Sequence, residues 1–265
     1  MPITEILARN AALYGDEISL IEINPEIKET PANWKEYGLV ETNPEKRYRR
    51  EMTWREFDDK ANRMANFLLG RGLQKGQKVG ILLMNCLEWL PVYFGILKTG
   101  ALAVPLNYRY DEDEIKYCLD LSECEVLVFG PEFIGRVDAI RNQIPNIKIR
   151  LFVGQDCPGF AESYYALTAC CSSMAPKINL SDEDDAAIYF SSGTTGFPKA
   201  ILHSHRSLVF SCEVEKDHHR QDRQDNFLCI PPLYHTGAKM HWFGSFLAGS
   251  RAVLLRGVKP EWIIK

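Results

Sequence analysis

The chain has 265 residues, 46% of them hydrophobic and 25% charged, with a formal net charge of −4 at pH 7. This composition is typical of a globular protein with a buried core, and the small negative charge argues against a general nucleic-acid-binding protein. No apolar run reaches the roughly 18 residues of a membrane-spanning helix, and the start lacks a signal-peptide pattern. We therefore expect a cytoplasmic protein without a transmembrane segment.

The N-terminal part of the sequence predicts a short amphipathic helix, a polar stretch and a longer helix. Residues 24–50 are polar and contain three prolines, which predicts a surface excursion. Thr53 and Glu56 match a capping box at the start of the longer helix, and Gly70 and Gly72 mark its end. Its apolar residues recur at helical spacing, which predicts one buried face: Phe57, Ala61, Met64, Ala65 and Leu68.

From residue 78 onward, short apolar segments alternate with helical patterns. The segments KVGILLM, ALAVPLN, EVLVFG, IRLFVG and DDAAIYF each predict a buried strand, and NFLCIPP and RAVLLRG predict two more near the end. Strands that alternate with helices indicate parallel βαβ units. The predicted fold class is therefore α/β, with doubly wound, mostly parallel sheets.

The cysteines and most of the histidines do not form a metal or redox motif. None of the eight cysteines belongs to a C-x-x-C pair, so we expect most of them to be reduced and buried or half-buried. His203 and His205 form H-x-H, and His218 and His219 are neighbours. No carboxylate or cysteine stands at a matching spacing, so packing or surface roles are expected for these histidines.

The stretch SSGTTGFPK, residues 191–199, follows the predicted strand DDAAIYF directly. Ligands of open α/β sheets bind beyond the carboxyl ends of strands. Gly193 and Gly196 permit close approach of backbone amides to a ligand, and Lys199 adds a positive charge. Four hydroxyl groups add further donors: Ser191, Ser192, Thr194 and Thr195. The pattern predicts a phosphate site, although such a loop alone is also typical of a solvated turn, and it matches neither the Walker A nor the G-x-G-x-x-G pattern.

The string YFSSGTTGFPKA resembles the signature loop of the adenylate-forming enzymes, which include acyl-CoA synthetases, aryl-CoA ligases, luciferases and peptide-synthetase adenylation domains. Four other segments are similar to segments of this superfamily in the same order: MTWREFDDKANRMANFL, LKTGALAVPLNYRYDEDEIKYCLDLSECEVLV, ILHSHRSLV and PPLYHTGA. The resemblance covers essentially the whole chain and is closest to the fatty-acid–CoA ligase type.

The resemblance implies a two-step reaction. A carboxylic acid attacks ATP to give an acyl-adenylate and pyrophosphate, and the thiol of coenzyme A then accepts the acyl group. The signature loop would hold the triphosphate and stabilise the charge on the leaving pyrophosphate. The residues implied in this role are Ser191, Ser192, Gly193, Thr194, Thr195, Gly196 and Lys199.

The segment PPLYHTGA implies a pocket for the acid. His235 would lie beside the acyl group and the adenylate and take a catalytic role with Lys199, while Tyr234 and Gly237 would shape the pocket. Taken alone, His235 could also be a structural histidine in a turn. Relatives that activate amino acids carry an aspartate here, and its absence predicts a plain fatty or aromatic acid as the small-molecule substrate.

The resemblance also implies groups that this chain lacks. The magnesium-linked glutamate, the ribose-binding aspartate and the mobile lid with its lysine would all follow Lys265. The chain therefore resembles an N-terminal fragment: a segment at 1–76 that packs with the second sheet lobe, a first α/β lobe at 77–216 and a truncated second lobe at 217–265. We expect this fragment to be inactive alone, and its exposed edges make self-association possible.

Two alternatives stay open at this point. A naturally short chain could be a non-catalytic module that binds a nucleotide or an acyl group. Instead of transfer to coenzyme A, the acyl group could also pass to a carrier-protein thiol, or the acyl-adenylate could be released directly. The sequence does not specify the acid or its chain length.

Overall fold

The computed structural model describes residues 1–24, 48–191, 198–257, 260 and 263, with the side chains of residues 238–241 excepted. Two β-sheets with helices packed around them make up this part of the chain, which confirms the α/β class. Among the helices of these ranges, none combines the length and the hydropathy that a membrane crossing requires.

The smaller sheet brings together strands from both ends of the chain. Its order is β10-β11-β1-β2. The strands are β1 (Ile18–Ile23), β2 (Arg49–Thr53), β10 (Asn226–Cys229) and β11 (Arg251–Leu255). β1 is parallel to β11 and antiparallel to β2, so the N-terminal hairpin completes a sheet whose other strands come late in the sequence.

The predicted surface excursion at 24–50 is wrong at its C-terminal end. Arg49 and Arg50 belong to β2, and the Arg50 side chain lies largely inside the protein. The polar character of the stretch concealed this strand, because Arg50 is accommodated by buried carboxylates. Residues 25–47 of the excursion lie outside the described residues.

The larger sheet has seven strands in the order β7-β6-β5-β3-β4-β8-β9. Its neighbours are parallel except for the antiparallel pair β8 and β9. The strands are β3 (Lys78–Leu82), β4 (Leu102–Pro105), β5 (Cys124–Phe129), β6 (Ile149–Phe152), β7 (Glu162–Ser163), β8 (Asp185–Ser191) and β9 (Lys199–Ser204). The five apolar segments of the sequence form β3, β4, β5, β6 and β8, as predicted.

The helices of the described ranges are α1 (Ile3–Tyr14), α2 (Trp54–Gly70), α3 (Trp89–Lys98), α4 (Glu112–Leu121), α5 (Ile134–Ile140), α6 (Tyr164–Ala169), α7 (His205–His219) and α8 (Thr236–Ala248). The capping box of α2 is confirmed, since Thr53 Oγ1 accepts the Glu56 N–H at 3.2 Å and the Glu56 carboxylate accepts the Thr53 N–H at 2.8 Å. All five residues of its predicted apolar face are fully buried.

An aromatic cluster joins helices that belong to different parts of the chain. Phe94 of α3 lies 5.6 Å from Phe57 of α2 and 5.0 Å from Phe246 of α8, measured between ring centroids. Trp54 and Trp242 also contact Phe246. Buried aromatic side chains remove a large apolar area from water, so this cluster stabilises the packing of α2 and α3 on α8.

A buried charge network connects the two sheets. The guanidinium of Arg50 forms a bidentate pair with Glu88, at 2.9 and 3.0 Å, and a second ion pair with Glu22 of β1. Burial is the largest single effect and would raise the pKa of Glu88, but the charge and hydrogen bonds of Arg50, with a smaller effect of Lys60, together leave this pKa below its ordinary value. Glu22 also accepts the Leu87 N–H at 2.7 Å, so the turn before α3 is held against the smaller sheet.

Replacing Arg50 with methionine should strongly destabilise the fold, because Glu22 and Glu88 would lose their shared cation while their side chains are only 2% and 5% exposed. We expect a loss of about 3–5 kcal/mol in the free energy of unfolding, measured by urea denaturation. The matched control is Arg55→Met, whose exposed pair with Asp16 should cost at most about 1 kcal/mol. Equal midpoints for the two variants would contradict this account of the network.

Candidate active site

A cavity of about 490 Å³ opens at the carboxyl ends of β4 and β8. These strands are parallel neighbours, so the chain leaves both at the same edge of the sheet, where open α/β sheets bind ligands. The lining includes Asn107, Arg109, Ser191, Pro198, Tyr234 and His235. The pocket thus collects the segment after β4, the β8–β9 connection and the turn before α8.

The signature stretch is the connection of a β-hairpin. Ser191, the last residue of β8, pairs across the antiparallel ladder with Lys199, the first residue of β9. Pro198 is buried and lines the pocket, as Ser191 does. The predicted contacts Ser192, Gly193, Thr194, Thr195 and Gly196 lie outside the described residues.

The sequence predicted a loop over residues 191–199, and this prediction was wrong at its C-terminal end. Lys199 instead begins β9, and its side chain is exposed beside the pocket rather than part of its lining. The side chains of β9 are mostly exposed and show no apolar alternation. The strand is formed by backbone pairing with β8, which sequence periodicity does not report.

Two buried tyrosines anchor the base of this hairpin. Tyr189 of β8 and Tyr93 of α3 share a hydrogen bond between their hydroxyl oxygens at 2.8 Å. The ring of His203, on β9, packs edge-on against Tyr189 at 5.2 Å between centroids. These contacts therefore fix the positions of β8 and β9, the two strands that flank the signature stretch.

His235 is the N-cap residue of α8. Its Nδ1 accepts the Gly237 N–H at 3.0 Å, so in the neutral ring the proton is on Nε2. The neighbouring Tyr234 packs edge-on against Tyr108, with ring centroids 5.3 Å apart. Burial raises the pKa of Tyr234, Tyr108 adds to this, and the positive charge of Arg109 opposes it. Of the three predicted residues here, Tyr234 and His235 line the pocket, and Gly237 supports the His235 ring.

Sequence reasoning missed Arg109, which lines the same pocket. Its guanidinium carbon lies 5.7 Å from the centre of the Tyr108 ring. Within the described ranges, no carboxylate pairs with Arg109; Glu114 also lines the pocket, and one oxygen of its carboxylate accepts the Asp111 N–H at 3.1 Å. The signal was available, because Arg109 closely follows a predicted strand and the carboxyl ends of parallel strands share one edge.

The other histidines have packing or surface positions, and no group of three or more potential metal ligands occurs among the described residues. His205, the first residue of α7, is fully buried, and neither of its ring nitrogens has a hydrogen-bond partner in the described part of the chain. Burial lowers the pKa of His205 from 6.5 to about 4, while Asp184 opposes this shift and Lys75 adds to it.

Comparison with known proteins identifies the family. The model of a family described as AMP-binding enzyme matches residues 32–264. The chain belongs to this family. The match spans the signature hairpin, Arg109 and the turn with His235, so the whole pocket lies within the part of the chain shared with AMP-binding enzymes.

Two curated relatives and one crystal structure are similar to this AMP-binding chain. The medium/long-chain-fatty-acid–CoA/3-oxocholest-4-en-26-oate–CoA ligase of Mycobacterium marinum is 33% identical over an alignment of 170 positions, which covers 60% of this chain and 30% of that protein. The human mitochondrial acyl-coenzyme A synthetase ACSM2B is 31% identical over 170 residues, 63% of this chain and 29% of that protein. The region matched by this chain therefore makes up less than a third of the length of each of these two relatives.

The crystal structure is that of the anthranilate CoA ligase AuaEII in complex with anthranoyl-AMP. It superposes with a TM-score of 0.84 at 25% sequence identity, and the match covers 97% of this chain and 45% of that one. The two sheets described above therefore form the same fold as the corresponding part of this CoA ligase.

The buried ring of His205 should make stability depend on pH. The pKa of His205 in the folded state lies below its ordinary value. The contribution of this residue to the free energy of unfolding is therefore complete above pH 6.5 and is lost as the pH falls towards 4. We expect this one group to lower the free energy of unfolding by up to about 3 kcal/mol over that range. In His205→Phe this part of the pH dependence should disappear, as measured by urea denaturation at a series of pH values.

The matched control is His218→Phe at the exposed end of α7. It should keep the pH dependence of the unmodified protein. An unchanged slope in His205→Phe would show that the buried ring is not the titrating group.

Proposed function

We propose that the protein activates a carboxylic acid with ATP and then transfers the acyl group to coenzyme A. The observation that supports this most directly is the position of the signature hairpin. Its two strands end and begin at a pocket that also contains His235 and Arg109. Membership of the AMP-binding enzyme family and the similarity to CoA ligases support the same reaction.

We propose that different parts of the pocket bind the triphosphate and the acid. The hairpin from Ser191 to Lys199 holds the triphosphate through backbone amides, hydroxyl groups and one lysine. The Lys199 side chain is exposed at the start of β9 and free to turn towards a phosphate bound at the tip. His235, whose ring is oriented by Gly237, faces the reacting carboxylate and the adenylate. A preorganised set of donors of this kind stabilises charge that develops on the leaving pyrophosphate.

Arg109 adds a second positive charge to this proposal. Its guanidinium lines the pocket without a carboxylate partner in the described ranges, so an anionic ligand would gain an ion pair there without breaking another. Arginine forms bidentate hydrogen bonds to phosphate oxygens, which makes the phosphates of the nucleotide the ligand we propose.

The acid is proposed to be a fatty or aromatic acid rather than an amino acid with a charged ammonium group. The turn PPLYHTGA contains no carboxylate that could hold a substrate ammonium group. The similar proteins are named as ligases of fatty acids and of anthranilate. Magnesium would accompany ATP, but we attribute no ligand to it in this chain. The cytoplasmic location, the division at residues 76 and 216 and the self-association stay predictions.

The hairpin assignment predicts that Lys199→Ala and Thr194→Ala reduce exchange of pyrophosphate into ATP by about 100-fold or more, because each removes a donor from the leaving group. The assay uses the protein at its full natural length with a panel of fatty and aromatic acids. The matched control is Lys148→Ala, an exposed lysine that pairs with Glu125 and does not line the pocket. Full exchange in either hairpin variant would overturn the assignment.

The same experiment separates the enzyme from a non-catalytic module. Tight ATP binding by the 265-residue chain, with no exchange by the protein at its natural length, would favour a nucleotide-binding module. Exchange without transfer to coenzyme A would instead point to a carrier-protein thiol as the acceptor or to direct release of the acyl-adenylate.

The role of Arg109 predicts that Arg109→Ala raises the KM for ATP about tenfold, since a hydrogen-bonded charge is lost from the nucleotide site. Arg109→Lys should recover part of this loss. The control is Arg141→Ala, because Arg141 packs on Phe160 and pairs with Asp138 outside the pocket. An unchanged KM for ATP in Arg109→Ala would exclude the phosphate contact.

A further inference from the structure

A buried asparagine holds the turn that carries His235. The Asn85 side chain, in the connection between β3 and α3, donates from Nδ2 to the Pro231 carbonyl at 3.1 Å and accepts the Leu233 N–H on Oδ1 at 2.8 Å. Both polar ends of one amide are thus used on a segment far away in the sequence. Asn85 is only 4% exposed, so water does not compete easily for either bond.

Asn85 is itself fixed by the charge network between the sheets. Two residues further on, the Leu87 N–H donates to the carboxylate of Glu22, and Glu88 pairs with Arg50. These bonds hold the 85–88 turn against the smaller sheet. The side-chain amide of Asn85 is therefore held in place relative to the smaller sheet. The turn that it binds is held in place through this amide.

The step from the clamped segment to His235 is short. His235 follows Leu233 by two residues, and its N–H donates to the Pro232 carbonyl at 3.0 Å, which closes a tight turn. The next contact is the Gly237 N–H to Nδ1 of His235. A shift of the clamped residues is carried to the imidazole through these two hydrogen bonds.

We infer that Asn85 is a positioning residue for His235. This inference rests on the proposed function, in which His235 acts on the acid and the adenylate. Asn85 does not line the pocket and acts only through the turn. A misplacement of about 1 Å in a reacting group can reduce the rate about 100-fold, so the two hydrogen bonds are sufficient to affect the rate.

A purely structural role has a matched example in the same protein. Asn62 of α2 is 2% exposed, donates to the Ser173 carbonyl at 2.9 Å and accepts from Lys98. It is a buried bridging amide like Asn85, but its partners lie away from the pocket. Asn62→Ala should therefore lower stability while leaving kcat within about twofold of the unmodified protein.

The test is a double-mutant cycle in the full-length protein, read as the rate of exchange of pyrophosphate into ATP. Asn85→Ala should reduce kcat by about 100-fold. When His235→Ala is already present, adding Asn85→Ala should change the rate by no more than about twofold. Asn85→Leu, which keeps the side-chain volume and removes both hydrogen bonds without adding a buried charge, is the variant for use if Asn85→Ala does not fold.

A second readout does not depend on activity. The imidazole nitrogen resonances of His235, observed by NMR, should shift in the Asn85 variant and stay unchanged in Asn62→Ala. If His235→Ala leaves exchange unchanged, the proposed role of His235 fails. If His235→Ala reduces exchange and Asn85→Ala multiplies that loss by its full factor, or if the His235 resonances do not move in the Asn85 variant, the positioning inference is overturned.

Discussion

The contact between one buried arginine and two buried carboxylates is the constraint on which the arrangement of this protein depends. Arg50 of β2 meets Glu22 of β1 and Glu88 at the start of α3, and so connects the smaller sheet to the first turn of the larger one. Buried ions are costly unless each is paired and hydrogen-bonded. Here the free-energy cost of burying these charges is offset only when the sheets are placed so that Arg50 reaches both carboxylates. The network therefore favours one relative position of the two sheets.

The arrangement of the pocket depends on this relative position of the two sheets. Its walls come from segments that are up to 131 residues apart in the sequence, from Pro105 to Thr236, and backbone packing alone leaves such segments free to shift against one another. The 85–88 turn relates the smaller sheet to the turn before α8, while the pair of Tyr93 and Tyr189 relates α3 to the base of the signature hairpin. Together these contacts fix the positions of the residues proposed to bind the phosphates and the acid relative to one another.

The sequence predicted the parts of the fold that have a local signal. The apolar strands of the parallel sheet and the capping box of α2 follow from periodicity and from side-chain chemistry at fixed spacing, and the structure confirms them. β9 could not be predicted in this way, because an exposed edge strand gains its stability from a partner backbone. β2 was hidden because its one inward arginine looks like a surface residue until Glu22 and Glu88 are placed beside it.

The candidate site shows the same division. The residues of the signature stretch and His235 are recognisable as strings, and the family match includes them. Arg109 and Asn85 have no string of their own, and their positions follow from topology. The assignment of the site residues stays a prediction, since their roles depend on a bound ligand.

The parallel pairing of β1 with β11 has a consequence for synthesis on the ribosome. Leu20 of β1 is aligned with Ala252 of β11, so the partner of an early strand emerges 232 residues after it. The five parallel strands β3 to β7 involve much closer partners and can assemble first. The N-terminal hairpin meanwhile exposes an unpaired edge, and delayed pairing of this kind slows folding and invites association with other nascent chains.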